Sequence, residues 1–143
     1  MSKSDTFEND LLKLIFNATA IANLADNAGT SPLTNLAVAL HTADPGESGT
    51  QSTSETAYTG YARVSVARTS GGWTVTGNSV SPVANIDFGE CTASAGSPIT
   101  HFSVGPTGGG ATKILYSGTV TPNITMAVGV IPRLKTTSTI TED

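Results

Sequence analysis

Apolar residues near the start of the chain recur at helical spacing. Phe7, Leu11, Leu14, Ile15, Ala18, Ile21 and Ala22 fall at intervals of three and four and draw one stripe along a helix. The spacing predicts an amphipathic helix over 6–25. Asp5 is placed to cap its first amides, and Glu8 three residues on completes a capping box. Asn27-Ala28-Gly29 offers a stop, and Pro32 blocks continuation.

Beyond that point the period changes to two. Leu36-Ala37-Val38-Ala39-Leu40-His41 sets Leu36, Val38 and Leu40 on one face of a strand and small residues on the other. Asp44-Pro45-Gly46 is a turn, because Pro presets one dihedral and Gly accepts positive φ. The polar loop that follows, 47–56, has no large apolar residue to fasten it to a core. The β pattern resumes over 58–68, and Gly71-Gly72 suggests a hairpin turn ahead of Trp73-Thr74-Val75. Further β segments fall at 79–83, 85–88, 99–104, 113–120, 124–131 and 136–140. Ser94-Ala95-Gly96, the 105–110 glycine run and Thr121-Pro122-Asn123 supply turns between them. Short strands at this spacing predict a mainly β, antiparallel β-sandwich or jelly-roll-like domain behind one N-terminal amphipathic helix. Closure into a barrel is an alternative, and no strand–helix alternation points to a parallel sheet. The expected layout is one domain over 1–143, with the β part over 34–134 and a polar tail at 135–143.

Composition narrows the function. Ser and Thr together number 38 of 143 residues, whereas charged residues make up only 13%. Seven Lys and Arg against eleven Asp and Glu give a net charge of −4. No basic stripe follows a phosphate backbone, so direct nucleic-acid binding is not expected. No apolar run is long enough for a membrane helix, and the polar N-terminus lacks the layout of a secretory signal. Cys91 is the lone cysteine, which excludes an internal disulfide and a cysteine-rich zinc site. A reducing cytoplasm is the expected place of synthesis.

Candidate chemistry is sparse. His41, Asp44 and Glu47 lie close in sequence and could be drawn as a metal site with His101, yet they straddle a strand end and a turn. Two strand histidines and a turn-capping Asp44 are the plainer reading. No Ser sits in a nucleophile elbow, so a Ser/His/Asp triad has no sequence signal. Asp87 and Glu90 could pose as an acid–base pair, but a strand-end turn is the plainer reading. Gly108-Gly109-Gly110 precedes a strand rather than a helix, which suits a hairpin tip and not a phosphate cradle. Asn17 and Asn123 open glycosylation-type triplets without a secretory context. Cys91 reads as a small buried residue. Trp73, Tyr58, Tyr61 and Tyr116 could form an aromatic strip, though a chain with 6% aromatics needs them for its core. No catalytic, cofactor-binding or metal-ligating residue is therefore assigned, and no cofactor is expected.

The block running from Leu36 through His41-Thr42-Ala43-Asp44-Pro45-Gly46 to Gly49, with Gly60-Tyr61-Ala62-Arg63 downstream, resembles small virion proteins of tailed bacteriophages. The 4–12 helix opening, Phe102-Ser103-Val104 and Leu115-Tyr116-Ser117-Gly118 are similar as well. The resemblance implies a non-enzymatic structural protein of the virion, made in the host bacterial cytoplasm. A capsid cement or decoration protein, seated on the capsid exterior, is the first expectation. A tail-fibre or tail-tip component involved in host attachment is the alternative. The expected partners are the major capsid protein, further copies of this chain in a homo-oligomer, or both. The loop 45–59 and the tail 135–143 are the expected contact segments, becoming ordered on a neighbour.

Overall fold

The computed structural model describes residues 5–21, 33–106 and 110–142. Along these the chain forms α1 (Asp5–Asn17), β1 (Asn35–His41), β2 (Val64–Ala67), β3 (Trp73–Thr76), β4 (Ser79–Pro82), β5 (Ile86–Asp87), β6 (Ile99–Gly105), β7 (Tyr116–Ile124), β8 (Arg133–Leu134) and β9 (Ile140–Thr141). One helix ahead of antiparallel strands is the class that the hydrophobic pattern predicts. Two compact units share the chain. The first takes Met1–Asn35, Val66–Asn85 and Lys135–Asp143, and the second takes Leu36–Ser65 and Ile86–Leu134.

In the first unit, α1 packs on the β3–β4 hairpin. Leu12 and Phe16 are fully buried, and the Phe16 ring meets Trp73 edge-on with centroids 4.9 Å apart. Glu8, Leu12 and Phe16 form the buried row, while Leu11, Leu14 and Ile15 are half-buried. This corrects the predicted stripe by a rotation of about one residue. The Phe16–Trp73 contact sets that rotation, because an aromatic pair adds about 0.5–1.5 kcal/mol beyond its buried area.

The helix is also shorter than the predicted 6–25. Ala18 turns to φ +53° and the Thr19 amide closes on the Lys13 carbonyl at 3.1 Å, which ends the helix at Asn17. Its last turn holds no basic residue of its own. Arg68 supplies the charge instead, donating from Nε to the Ile15 carbonyl at 2.6 Å, from Nη2 to the Leu14 carbonyl and from Nη1 to the Leu33 carbonyl at 3.2 Å. A guanidinium there meets otherwise orphaned carbonyls and the negative end of the helix dipole. Ala22, the stop at Asn27-Ala28-Gly29 and Pro32 lie outside the described residues, as do the side chains of Asp5 and Phe7.

The hairpin registers Trp73 on Pro82 through Thr76 on Ser79 and turns at Gly77-Asn78, with Gly77 at φ +60°. Gly71-Gly72 does form a turn, closed by the Gly72 amide on the Thr69 carbonyl at 2.9 Å. It joins no hairpin, however, since β2 and β3 belong to different sheets. The C-terminal segment is part of this unit's own sheet. β9 pairs with β4, and Asn78 exchanges two hydrogen bonds with the backbone of Glu142 at 2.8 and 3.0 Å.

The second unit is built on a sheet ordered β2-β1-β6-β7. β1 runs antiparallel to β6 with Ala37 opposite Gly105, Ala39 opposite Ser103 and His41 opposite His101. All of β1 after Asn35 is buried, so the small-residue face is covered as fully as the leucine face. β7 continues through Thr121-Pro122-Asn123, where the sequence predicts a turn between two strands. Pairing moves from His101 with Thr119 to Ile99 with Ile124. Two steps on β6 therefore meet five on β7, and the turn residues bulge out of a strand that does not end. Pro122 is tolerated because β7 is the last strand of its sheet. The short pair β5–β8 aligns Ile86 with Leu134. The predicted strand over 124–131 is absent beyond Ile124.

Candidate functional site

The small face of β1 explains what fastens the polar loop. Gln51, fully buried, donates from Nε2 to the Ala37 carbonyl at 3.0 Å and to Ser103 Oγ at 3.3 Å. Alanines at 37 and 39, serine at 103 and glycine at 105 leave the room that Gln51 fills. Gln51 Oε1 accepts the Thr112 hydroxyl, and the Gln51 amide donates to the Thr112 carbonyl at 2.8 Å. Polar side chains thus anchor 50–56 where apolar ones are lacking. Tyr58 is buried as well, with its hydroxyl on the Gly89 carbonyl at 2.7 Å. The expectation that 45–59 becomes ordered only on a neighbour is corrected on these contacts.

His41 sits at the centre of this network and is fully buried. Its Nδ1 lies 2.9 Å from the Thr53 carbonyl and its Nε2 lies 2.8 Å from Ser103 Oγ. A carbonyl only accepts, so Nδ1 carries the proton and Nε2 accepts the Ser103 hydroxyl. Burial holds the imidazole below its ordinary range, against the opposing pull of the Thr53 carbonyl and Glu55. Glu55 is bound in a fork by Arg63, with Nε and Nη2 at 2.7 and 2.8 Å from its two oxygens. Tyr61 donates to the same carboxylate at 2.8 Å and accepts the Leu40 amide at 3.1 Å. Burial, foremost, pushes the Tyr61 phenol well above its ordinary value. These members hold one another, so the network fixes the loop on the sheet.

An open groove of about 390 Å³ lies in the same unit, lined by Asp44, Gly46 and Glu47 on one side and Ile114 to Ser117 on the other. Its acidic wall is the Asp44-Pro45-Gly46-Glu47 stretch that the sequence singles out. The Asp44 carboxylate accepts the Gly46 amide at 2.9 Å, Gly46 stands at φ +71°, and Pro45 is buried beneath the turn. The turn-capping role read for Asp44 is what the structure shows.

The remaining candidates disperse. His101 pairs through Nδ1 with Thr100 Oγ1 at 2.8 Å, and among the described residues no three His, Cys, Asp or Glu side chains converge. Asp87 forms an exposed ion pair with Arg133, which holds its carboxyl below the usual range. Glu90 is exposed and Cys91 is fully buried. Asn17 closes the helix and Asn123 lies in the β7 bulge. Trp73 belongs to the first unit, whereas Tyr58 packs edge-on against Tyr61 at 5.4 Å and Tyr61 stacks on Phe88 at 6.3 Å. Of the four candidates, Trp73 and Tyr58 are core, Tyr61 is half-buried and Tyr116 lies at the groove. Gly108 and Gly109 lie outside the described residues.

With this geometry in place, comparison with known families becomes decisive. The family model described as podophage GP4 fiber I protein gp80 matches residues 2–141. The chain belongs to that family. Membership in the gp80 fibre family makes it a structural component of a phage virion. No curated protein matches the sequence. No described helix is long and apolar enough to cross a membrane.

Proposed function

We propose that the chain is a non-enzymatic component of a phage tail fibre, acting in host attachment. The observation that carries this reading is the fibre family match over 2–141, which favours the tail over the capsid cement role expected first. The closed network supports it: Ser103 and His41, which could otherwise pose as nucleophile and base, are both fully buried. What the molecule offers to a partner is surface: an acid-walled groove and a long outer strand. Quantitative gel analysis of purified virions, with immunogold labelling, tests the assignment. A handful of copies at the tail is expected, and hundreds of copies over the capsid shell would overturn it in favour of a cement protein.

A further inference from the structure

The buried hydrogen bonds around His41 run in one direction. Gln51 donates to Ser103 Oγ at 3.3 Å, and Ser103 donates in turn to His41 Nε2 at 2.8 Å. Nδ1 already gives its proton to the Thr53 carbonyl, so the relay ends on Nε2 as acceptor. Gln51, Ser103 and His41 are all fully buried. A second proton on the imidazole turns that terminal acceptor into a donor. The Ser103 hydroxyl then loses its acceptor, and a charge sits out of reach of water.

The groups around the ring do not offset this. Burial is the largest influence holding the imidazole low, and Arg63 and His101, which stands opposite His41 on β6, add to it. The Thr53 carbonyl and Glu55 pull the other way. Yet the Glu55 carboxylate already accepts the Arg63 fork and the hydroxyl of Tyr61, whose phenol burial keeps neutral. The segment 50–56 meets the ring through Thr53, and none of its residues is apolar. Its backbone ties are Gln51 with Thr112, Thr42 with Ser54 and Thr56 with Leu40. Thr56 Oγ1 is buried with no hydrogen-bond partner among the described residues. Water replaces bonds of this kind at small net cost. β1 itself is held differently, through the buried Leu36, Val38 and Leu40.

We propose that His41 is an acid-sensitive latch: protonation of its Nε2 releases the segment 50–56 from the sheet while β1 and β6 stay paired. The open form lets water reach the imidazolium and so holds the proton more tightly than the closed form. The folded-state value lies below 6.5, so the latch is closed above about pH 6.5 and opens as pH falls from there. Release uncovers the Ala37 and Ala39 face of β1, a surface that only acid makes available. The inference concerns this chain alone and stands apart from the fibre reading.

Amide hydrogen exchange on the full chain from pH 8 to 5, corrected for intrinsic rates, tests the latch. Protection at the Gln51 and Thr56 amides is expected to stay level down to about pH 6.5. Below that it is expected to fall by up to about tenfold per pH unit, the limit for one proton. Amides in the β1–β6 pairing and in the β3–β4 hairpin are expected to keep their protection. His41→Gln is expected to abolish the pH dependence, and His101→Gln to leave it. Equal loss across β1–β6, an acid response retained in His41→Gln, or one abolished in His101→Gln would each overturn the proposal. Should His41→Gln not fold, the wild-type profile decides. Protection at Gln51 and Thr56 that falls evenly from pH 8 to 5, or not at all, overturns the latch.

Discussion

A Cβ placed on Gly105 would stand 2.3 Å from Gln51 Oε1 and 2.8 Å from the Lys113 carbonyl. Gln51 could swing aside, but the Lys113 oxygen is backbone and the loop that bears it is tied down. Gly105→Ala is therefore expected to cost about 1–3 kcal/mol, measured by urea unfolding. His41 gives a pH signature. Its folded-state pKa lies below the unfolded value of 6.5, so the unfolded chain takes up a proton first as pH falls. Its stabilising contribution is whole above about pH 6.5 and is lost as pH drops from there through the folded pKa. Unfolding free energies measured from pH 8 to 5 should show this slope, and His41→Gln should flatten it. Nothing in the sequence marks Gln51, and His41 is marked there only as a candidate metal ligand, not as the centre of a buried network. The one visible hint is the alanine face of β1, which leaves space that something must occupy.

At the scale of elements, Arg68 acts as the C-terminal cap that α1 lacks in its own sequence. Arg68→Ala is expected to cost about 2 kcal/mol and to lower the helical circular dichroism signal, since bonds to a charged donor contribute about 1.5–3 kcal/mol. Lysine should restore little of it, because one ammonium cannot span the carbonyls that a planar guanidinium reaches. The corrected rotation of α1 makes a second forecast. Leu12→Asp buries an unpaired charge and should cost roughly 3–5 kcal/mol, whereas Leu14→Asp, half-buried, should cost distinctly less. Denaturation midpoints of the two variants check the ranking. The periodicity located the helix but not its rotation or its end, which depend on Trp73, on Ala18 and on a residue fifty positions away. Strand positions were legible wherever alternation was strong, as in β1, β3 and β6. β7 misled because proline and asparagine signal a turn locally, while the register across β6 decides that the strand continues past the bulge.

Over the whole molecule, the pattern of short strands behind one helix revealed the class, and the Asp44-Pro45-Gly46 block pointed to the stretch that becomes the groove wall. Pairing partners were out of reach, because alternation marks faces and not neighbours. The C-terminal segment shows the difference most clearly: the sequence suggests a β segment over 136–140 inside a polar tail, and only the structure shows that β9 at Ile140–Thr141 is the third strand of the first unit's sheet. Deleting 140–143 should lower the unfolding midpoint of the free protein, with loss of protection at Ser79 and Val80 in hydrogen exchange. A deletion that leaves both unchanged would return the segment to solvent.

The composition of the first unit from three separated stretches of chain sets a timetable for synthesis. α1 emerges first, yet β9, which completes the sheet of the same unit, is translated more than a hundred residues later. At bacterial elongation rates the helix waits on the order of ten seconds with Leu12 and Phe16 lacking their full surroundings. During that interval the nascent chain displays a sticky amphipathic helix, and a chaperone that holds such helices would meet its client there. The second unit lies between those stretches of sequence and can begin to fold while the first is still waiting for its last strand.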